Sequence, residues 1–469
     1  MKNKNKILGL VITDGVGFRN FCLSDFLDEA IQEFHKVIIF SGLPKTVFDI
    51  QNFDQVEIIE LPIFIEPFKT WFWRKFKEIA HLQEHKHNYG INDNLKSNNS
   101  LVKSNRGTAT RLIYKITEIF HKEKNISYFE KQHLKSLRHL DITKFCTEIL
   151  KETAPDLLFF THQRPPYVVP LVVAAERLNI KIGSFIFSWD NLASKGRMAA
   201  KFQFYLVWSE LMKKDLLHFY PSTKSEHVTV IGTPQFEPYV LKRFQSSKEN
   251  FFQKFNLNPT EKTICFSCGD VSTSKNDPLY IECIASAIME DEINEKVNFL
   301  VRTSPAEEAS RFEYLRTKFP FIKWNFPEWN LARENHPELW SQRVPTSEDL
   351  MDLRMILEFS DIGVNMCSTM SLDFMNFNKP VINPVFGNTE NGLYNDQRFL
   401  NYAHYSYIVE SNSVAIAKNK TELIQEINEA LLNPEKRKSE RNKMFKIQVG
   451  KPLLRTGKRI AETLMDEAN

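Results

Sequence analysis

The stretch DIGVNMCSTMSLDFMNFNKPVINPVFG, residues 361–387, decides the predicted fold. Residues 361–366 are apolar enough for a buried parallel strand, and 381–386 have the same character. Between them, 370–377 have helical spacing, and Pro380 ends the helix because the residue before a proline avoids the α region. The stretch therefore predicts a strand, a short turn, a helix and a second strand, which together form part of a parallel α/β sheet.

The turn between the first strand and the helix carries the small side chains Cys367, Ser368 and Thr369. The N-terminus of a helix presents unpaired N–H groups and a partial positive charge. Two hydroxyl groups beside such a terminus indicate a site for a phosphate or diphosphate. The alternative is an ordinary Ser/Thr helix cap, which is common, and the stretch alone leaves both interpretations open.

Buried strands alternate with helices along most of the remaining chain, so the sequence predicts an α/β fold with two Rossmann-like, doubly wound domains facing a cleft. The length of 469 residues suits two domains with extensions. A charged and polar stretch at 242–259 marks the change of domain. We therefore predict domains at 1–245 and 246–450 and a C-terminal tail helix at 451–469. The last strand is predicted at 405–410.

Charge and hydropathy exclude several classes of protein. The net charge is +3, from 61 Lys and Arg against 58 Asp and Glu, which gives no support to a nucleic-acid binder. The N-terminal apolar run meets Thr13 and Asp14 too early for a signal peptide. No uninterrupted apolar stretch reaches the ~18 residues of a transmembrane helix. We expect a cytoplasmic protein.

Residues 65–120 form an aromatic and basic insertion in the first predicted domain. The run PFKTWFWRKFKEIAHL, which begins at Pro67, mixes aromatic and basic residues at partly helical spacing. Residues 65–80 are therefore predicted to make a peripheral contact with the inner face of a membrane, aromatic side down. The alternatives are packing over the domain or lining an acceptor groove. Residues 85–106 are rich in Asn, Lys and Ser, which predicts a mobile loop.

With these motifs in view, the chain resembles the GT-B superfamily of nucleotide-sugar glycosyltransferases over nearly its whole length. Residues 361–387 resemble the donor-site strand, turn and helix of that superfamily, including its KPVI strand. Residues 207–209 (VWS) and 232–234 (GTP) resemble the closing strands of its N-terminal domain, and 402–405 (YAHY) resemble its C-terminal end. The resemblance implies acceptor binding in the first half, donor binding in the second half, and a tail helix that crosses back.

The sequence also departs from that superfamily. The long acidic motif of its retaining members is not evident. The pair Asp396-Gln397 resembles the sugar-binding acid and glutamine of some inverting members, but it lies further from the KPVI strand than expected. Residues 299–305 (FLVRTSP) resemble a segment that ends in His-Pro in glycerophosphotransferases. Ser304 stands where that histidine would be.

Glycosyl transfer leaves negative charge on the departing diphosphate, and metal-independent enzymes stabilise that charge with helix N-termini and cations. Arg302 is the predicted cation, although a structural ion pair is the alternative. His404 is predicted to contact phosphate or ribose, although a packing histidine is the alternative. No DxD motif suggests a metal, so we predict no metal and no cofactor. The predicted donor-binding residues are Arg302, Cys367, Ser368, Thr369, Ser371, Asp373, Asp396, Gln397 and His404.

An inverting enzyme also needs a general base for the acceptor hydroxyl, at the carboxyl edge of the first sheet. Three residues follow strands there and are candidates: Asp14, His162 and Asp190. For the two aspartates the alternative is turn capping. Asp14 lies in a predicted loop, 14–20, ahead of a helix at 21–34. The predicted acceptor-binding residues are Gly15 and Gly17, which let backbone approach a ligand, and Trp189, which stacks on a sugar ring.

The sequence thus predicts an inverting, metal-independent glycosyltransferase of surface polysaccharide synthesis. It would move a sugar from a nucleotide-sugar donor, of the UDP type, to a glycan or lipid-linked acceptor. Three alternatives stay open: a CDP-alcohol glycerophosphotransferase, a nucleotide-sugar 2-epimerase, and a non-catalytic ligand binder of two domains. Fold alone does not choose among them.

Overall fold

A computed structural model describes residues 5–49, 56–100, 102–306, 308–387 and 396–469. The chain divides into two compact units. The first unit runs to Glu237 and includes Leu331–Val344 and Val449–Asn469. The second unit comprises Pro238–Asn330 and Pro345–Gln448.

The first unit contains a parallel sheet of seven strands in the order β3-β2-β1-β4-β5-β6-β7. Its central strands are continuous apolar runs, as expected when helices cover both faces of a parallel sheet. The strands are β1 (Ile7–Ile12), β2 (Lys36–Ser41), β3 (Glu57–Glu60), β4 (Leu157–Phe160), β5 (Lys181–Phe185), β6 (Phe204–Val207) and β7 (Val228–Val230).

Helices precede, connect and cover these strands. They are α1 (Gly15–Cys22), α2 (Phe26–Glu33), α3 (Thr46–Asp49), α4 (Phe68–Glu84), α5 (Tyr89–Ser97), α6 (Asn105–Thr117), α7 (Glu123–Leu137), α8 (Asp141–Thr153), α9 (Val169–Leu178), α10 (Asn191–Ser194) and α11 (Glu210–Phe219). The chain passes from β3 at one edge through α4 to α8 and returns beside β1. The strand order therefore reverses between β1 and β4, and open α/β sheets bind ligands at such a switch point.

Two local predictions for the first unit are wrong. The predicted loop 14–20 is helical, because the Asp14 carboxylate accepts the Gly17 amide at 2.8 Å and starts α1. The predicted mobile loop 85–106, of which residue 101 lies outside the described ranges, contains α5. Asn88 caps α5 by accepting the Ile91 amide at 3.3 Å, and Ile91 and Leu95 are buried.

The second unit contains a parallel sheet of six strands in the order β10-β9-β8-β13-β14-β15. Its switch point lies between β8 and β13. The strands are β8 (Lys262–Ser267), β9 (Val297–Arg302), β10 (Lys323–Asn325), β13 (Ile362–Val364), β14 (Val381–Pro384) and β15 (Ala415–Ala417). A separate pair is formed by β11 (Trp329–Leu331) and β12 (Arg343–Pro345).

The remaining helices are α12 (Lys248–Lys254), α13 (Asp277–Met289), α14 (Glu313–Lys318), α15 (Ser347–Phe359), α16 (Met370–Asn376), α17 (Ala403–Glu410), α18 (Lys420–Leu432), α19 (Lys438–Val449) and α20 (Thr456–Ala468). The strand predicted at 405–410 is instead part of α17. Its buried residues Tyr405 and Ile408 are three positions apart, which is helical spacing, and the last strand is β15. No helix within the described ranges is long and apolar enough to span a bilayer.

The tail helix α20 packs against α2 in the first unit. The Glu237 carboxylate accepts the backbone amide of Gly457 at 2.9 Å and that of Asp25 at 3.3 Å, which joins α20 to the start of α2. A Cβ atom at Gly457 would lie 2.4 Å from the backbone nitrogen of Phe26. The attachment of α20 therefore requires a residue without a side chain at position 457.

We expect Gly457→Ala to lower the free energy of unfolding by about 1–3 kcal/mol, because two backbone segments must separate. This loss outweighs the better helix propensity of alanine. The control is Gly196→Ala, since a Cβ atom there meets nothing closer than 3.5 Å. Denaturant titration measures both variants. Equal stability of the two variants would contradict the close approach at Gly457.

Candidate functional site

Two of the three predicted base residues form a buried pair at the switch point of the first sheet. Asp14 follows β1 and His162 follows β4, and these strands are neighbours. His162 Nδ1 lies 2.9 Å from Asp14 Oδ2, and Thr13 Oγ1 donates to the same oxygen at 2.7 Å. An ionised carboxylate only accepts hydrogen bonds, so Nδ1 carries the proton. Nε2 is then the nitrogen of the neutral ring that can take up another proton.

The surroundings favour a charged Asp14 beside a neutral His162. Burial raises the pKa of Asp14, but the hydrogen bond and charge of His162, with the donors Thr13 and Gly17, bring it below its ordinary value. Burial lowers the pKa of His162 below its ordinary value, although Asp14 acts in the opposite direction. A neutral imidazole held by a carboxylate has the electrostatics of a general base near pH 7.

Neighbouring side chains fix the orientation of this pair. The His162 ring stacks on Phe187, with ring centroids 3.8 Å apart and planes 13° apart. The Tyr167 hydroxyl donates to the carbonyl oxygen of Thr13 at 3.1 Å. The pair is therefore held by packing as well as by hydrogen bonds, which a preorganised base requires.

A small cavity lies beside the pair. It is lined by Thr13 and Tyr167, two of the residues that surround the pair. Arg333 and His336 contribute its polar wall, and Arg333 donates to Glu60 at 2.6 Å. No pattern in the sequence predicts these two residues, because only the folded chain brings 331–344 into the first unit. The cavity is lined by Thr13, Gly42, Leu61, Pro62, Ile63, Phe64, Tyr167, Val168, Arg333 and His336.

The third candidate base, Asp190, lies in a local turn rather than in the pair. Its carboxylate accepts a hydrogen bond from the side-chain Nδ2 of Asn191 at 3.1 Å and lies 3.8 Å from Lys195 Nζ. The Asp190 carboxylate does not cap α10, and a role as the base stays a prediction for this residue. Trp189 is 2% exposed, so the expectation that its ring stacks on a sugar is wrong for this conformation.

The two glycines in the first turn of α1, which was predicted as a loop, also have structural roles. A Cβ atom at Gly15 would lie 1.7 Å from the carbonyl oxygen of Arg343, so the close approach there is to the chain itself. Gly17 is buried and donates its amide to Asp14. The prediction that these glycines admit an acceptor is corrected accordingly.

In the second unit, the predicted diphosphate turn lies at the switch point, after β13. Cys367 has a φ of 45°, in the left-handed region. The Asn365 side-chain oxygen accepts both the amide and the hydroxyl of Ser368 at 3.1 Å, and Ser368 Oγ accepts the Met370 amide at 3.2 Å. The backbone amides of Ser368 and Met370, at the predicted diphosphate site, are therefore hydrogen-bonded to side chains. This arrangement matches the capping alternative.

Three further predicted donor ligands are buried and bonded within the second unit. Ser371 Oγ lies 2.8 Å from the Tyr405 hydroxyl, and Asp373 accepts from Tyr239. Asp396 accepts from the Tyr280 hydroxyl at 2.8 Å, and burial raises the pKa of Asp396. These side chains hold loops together in this structure. Some solvent-accessible surface remains on Cys367, Ser368, Thr369, Gln397 and His404.

Arg302, the predicted cation of the donor site, forms a buried ion pair instead. Its Nη2 atom donates to both carboxylate oxygens of Asp349 at 2.9 Å, and Nη1 donates to Asn325. Asp349 also accepts from Trp329 Nε1 at 2.9 Å. The structure thus favours the ion-pair alternative for this arginine, and the prediction of a phosphate-binding role is corrected.

Comparisons with known proteins identify the type of fold. No protein-family model matches the sequence, and no curated protein matches it. Solved structures match over nearly the whole chain. One is the UDP-GlcNAc 2-epimerase of Methanocaldococcus jannaschii, with a TM-score of 0.55 and 12% identity over 98% of this chain and 99% of that chain. The fold is GT-B-like.

Two further structures have the same GT-B-like architecture. The UDP-GlcNAc 2-epimerase from Neisseria meningitidis, bound to UDP-GlcNAc, has a TM-score of 0.51 and 14% identity, and covers 98% of this chain and 100% of its own. A glycosyltransferase from Rickettsia africae has a TM-score of 0.53 and 13% identity, and 99% of each chain is covered. At this identity the comparison establishes the fold, which confirms the prediction of two Rossmann-like α/β domains.

We expect Arg302→Ala to lower the free energy of unfolding by about 3–5 kcal/mol, because Asp349 would remain buried without its cation. The control is Arg316→Ala, which removes an exposed ion pair with Glu313 and should cost at most about 1 kcal/mol. Denaturant unfolding measures both variants. If Arg302→Ala is as stable as the control, the side chain is free for another role.

Proposed function

We propose that the protein is a glycosyltransferase that moves a sugar from a UDP-sugar to an acceptor hydroxyl, with inversion at the anomeric carbon. The observation that carries the proposal is the buried Asp14–His162 pair at the switch point of the first sheet. A neutral histidine held by a carboxylate suits the removal of a proton from a hydroxyl. A small cavity lined by Thr13 and Tyr167 lies next to the pair.

The proposed reaction assigns one task to each member of the pair. His162 Nε2 takes the hydroxyl proton while the acceptor oxygen attacks the anomeric carbon. The bond from that carbon to the diphosphate oxygen breaks, and its electron pair leaves on UDP. Asp14 keeps Nδ1–H in place and stabilises the imidazolium that forms. The proposal includes no metal and no cofactor.

In this proposal the donor lies at the carboxyl edge of the second sheet, where the accessible parts of Ser368, Thr369 and His404 are found. Support for a UDP-sugar comes from the Neisseria meningitidis epimerase, whose structure was solved with UDP-GlcNAc. The acceptor is a glycan or lipid-linked saccharide of surface polysaccharide synthesis, as the sequence predicts.

A nucleotide-sugar 2-epimerase is the second candidate, because two of the three structural neighbours described above are UDP-GlcNAc 2-epimerases. The two activities differ in what they consume. A transferase releases UDP and needs an acceptor, whereas an epimerase interconverts UDP-sugars without any acceptor. Turnover of a CDP-alcohol, or binding without turnover, would correspond to the remaining alternatives from the sequence.

The proposal is tested by donor binding and by turnover in parallel. UDP and UDP-sugars should raise the melting temperature, because a ligand that binds only the folded state stabilises it. We expect His162→Ala to retain that shift and to lose about 10²–10⁴-fold in acceptor-dependent UDP release, which is the usual contribution of a general base.

The matched control is His139→Ala, since His139 is exposed at the end of α7 and should be dispensable. Full activity of His162→Ala would rule out the proposed base. Interconversion of UDP-sugars without acceptor would establish the second candidate. Stabilisation by CDP but not by UDP would reject both.

A further inference from the structure

An exposed apolar surface with basic residues lies where the chain leaves β3 and enters α4 and α6. Ile65 is 78% exposed, Val102 is 65% exposed and Phe68 is 50% exposed. Lys69, Lys103 and Arg106 are also exposed there. We call these six residues the apolar–basic patch. Large apolar side chains exposed together indicate an interaction surface.

Internal contacts bring the segments around Phe68 and Arg106 together. The Phe68 ring lies 5.4 Å from the ring of Trp71, and the Arg106 guanidinium lies 5.3 Å from the same indole ring. Arg106 also donates to the carbonyl oxygen of Glu66 at 3.4 Å. Val102 folds back over the first turn of α6, since a Cβ atom at Gly107 would lie 2.1 Å from its carbonyl oxygen.

The two chain segments that carry the patch are predominantly basic. Residues 96–111 contain four basic residues and no acidic residue. Within residues 61–75 the single acidic residue is Glu66, and Arg74 neutralises it through two hydrogen bonds of 2.8 and 2.7 Å. An anionic surface is therefore the complementary partner. Apolar side chains surrounded by lysine and arginine are typical of protein segments that lie in the interface of an anionic bilayer.

We propose that the apolar–basic patch binds the surface of an anionic lipid bilayer. Ile65, Phe68 and Val102 would enter the boundary between headgroups and acyl chains, while Lys69, Lys103 and Arg106 contact anionic headgroups. This proposal does not depend on sugar transfer. It corrects the predicted orientation of 65–80, because Trp71 is only 6% exposed and Trp73 packs on Phe76 and Phe129.

The patch is next in sequence to a segment that lines the cavity beside the Asp14–His162 pair. Residues 61–64, which immediately precede the patch, form one wall of that cavity. The contact with lipid would bring the edge of the first sheet close to a membrane surface.

The test is co-sedimentation of the full chain with vesicles of equal parts phosphatidylglycerol and phosphatidylcholine, and with vesicles of phosphatidylcholine alone. We expect binding to the first vesicles and much weaker binding to the second, with loss of binding in high salt. The variant Lys69→Glu with Lys103→Glu should bind at least about 25-fold more weakly, since each basic residue contributes about fivefold. Ile65→Ser with Phe68→Ser should also lose binding.

The matched control is Met289→Ser with Leu432→Ser, which removes two apolar side chains exposed by 63% and 72% in the second unit. It should bind as the wild type does. All variants should keep the melting temperature of the wild type, because the substituted side chains are exposed. Equal loss in the control, or no sedimentation of the wild type, would overturn the proposal. A wild type that elutes as a dimer in size-exclusion chromatography and does not bind vesicles would also overturn the proposal, because the patch would then join two copies of the chain.

Discussion

The hydrogen bond between His162 and Asp14 is the interaction on which the functional account depends. It exists because β1 and β4 are neighbours although about 150 residues separate them in sequence. The helical insertion of α4 to α8 fills that interval and returns the chain beside β1. A parallel sheet places the carboxyl ends of its strands at one edge, so the reversal of strand order creates a crevice there. The pair lies in that crevice, and burial keeps the imidazole neutral.

The edge of the second sheet uses its polar residues differently. The Asn365 side-chain oxygen accepts hydrogen bonds from the hydroxyls of Ser368 and Ser371, and Asp396 accepts one from the Tyr280 hydroxyl. Buried polar groups must be hydrogen-bonded, and these loops satisfy one another. The arrangement fixes the backbone around the turn after β13 and leaves part of Ser368 and Thr369 accessible. The side chains of Asn365, Ser368, Ser371 and Asp396 are therefore engaged in hydrogen bonds within the second unit.

Sequence patterns predicted the fold better than they predicted the site. Buried apolar runs that end in a polar tip, such as Leu157–Phe160, predicted strands, and those tips predicted where Asp14 and His162 would lie. The two residues form a pair because β1 and β4 are neighbours in the sheet. Strand order of this kind cannot be read from a local sequence pattern. Arg302 was predicted as a ligand because a departing diphosphate needs a cation, and Asp373 because its segment resembles a donor-site motif. Their partners, Asp349 and Tyr239, are distant in sequence. The strand predicted at 405–410 failed because a short apolar run fits a helix as well as a strand.

If His162, held by Asp14, is the base, the pH dependence of kcat/KM for UDP release should follow the titration of its imidazole. The base is active when deprotonated, so kcat/KM should fall as the pH drops through the pKa of His162, which burial holds below its ordinary value. Asp14 raises that pKa, so Asp14→Asn should move the fall to lower pH. A profile without this acidic fall, or one that is identical in the variant, would contradict the account.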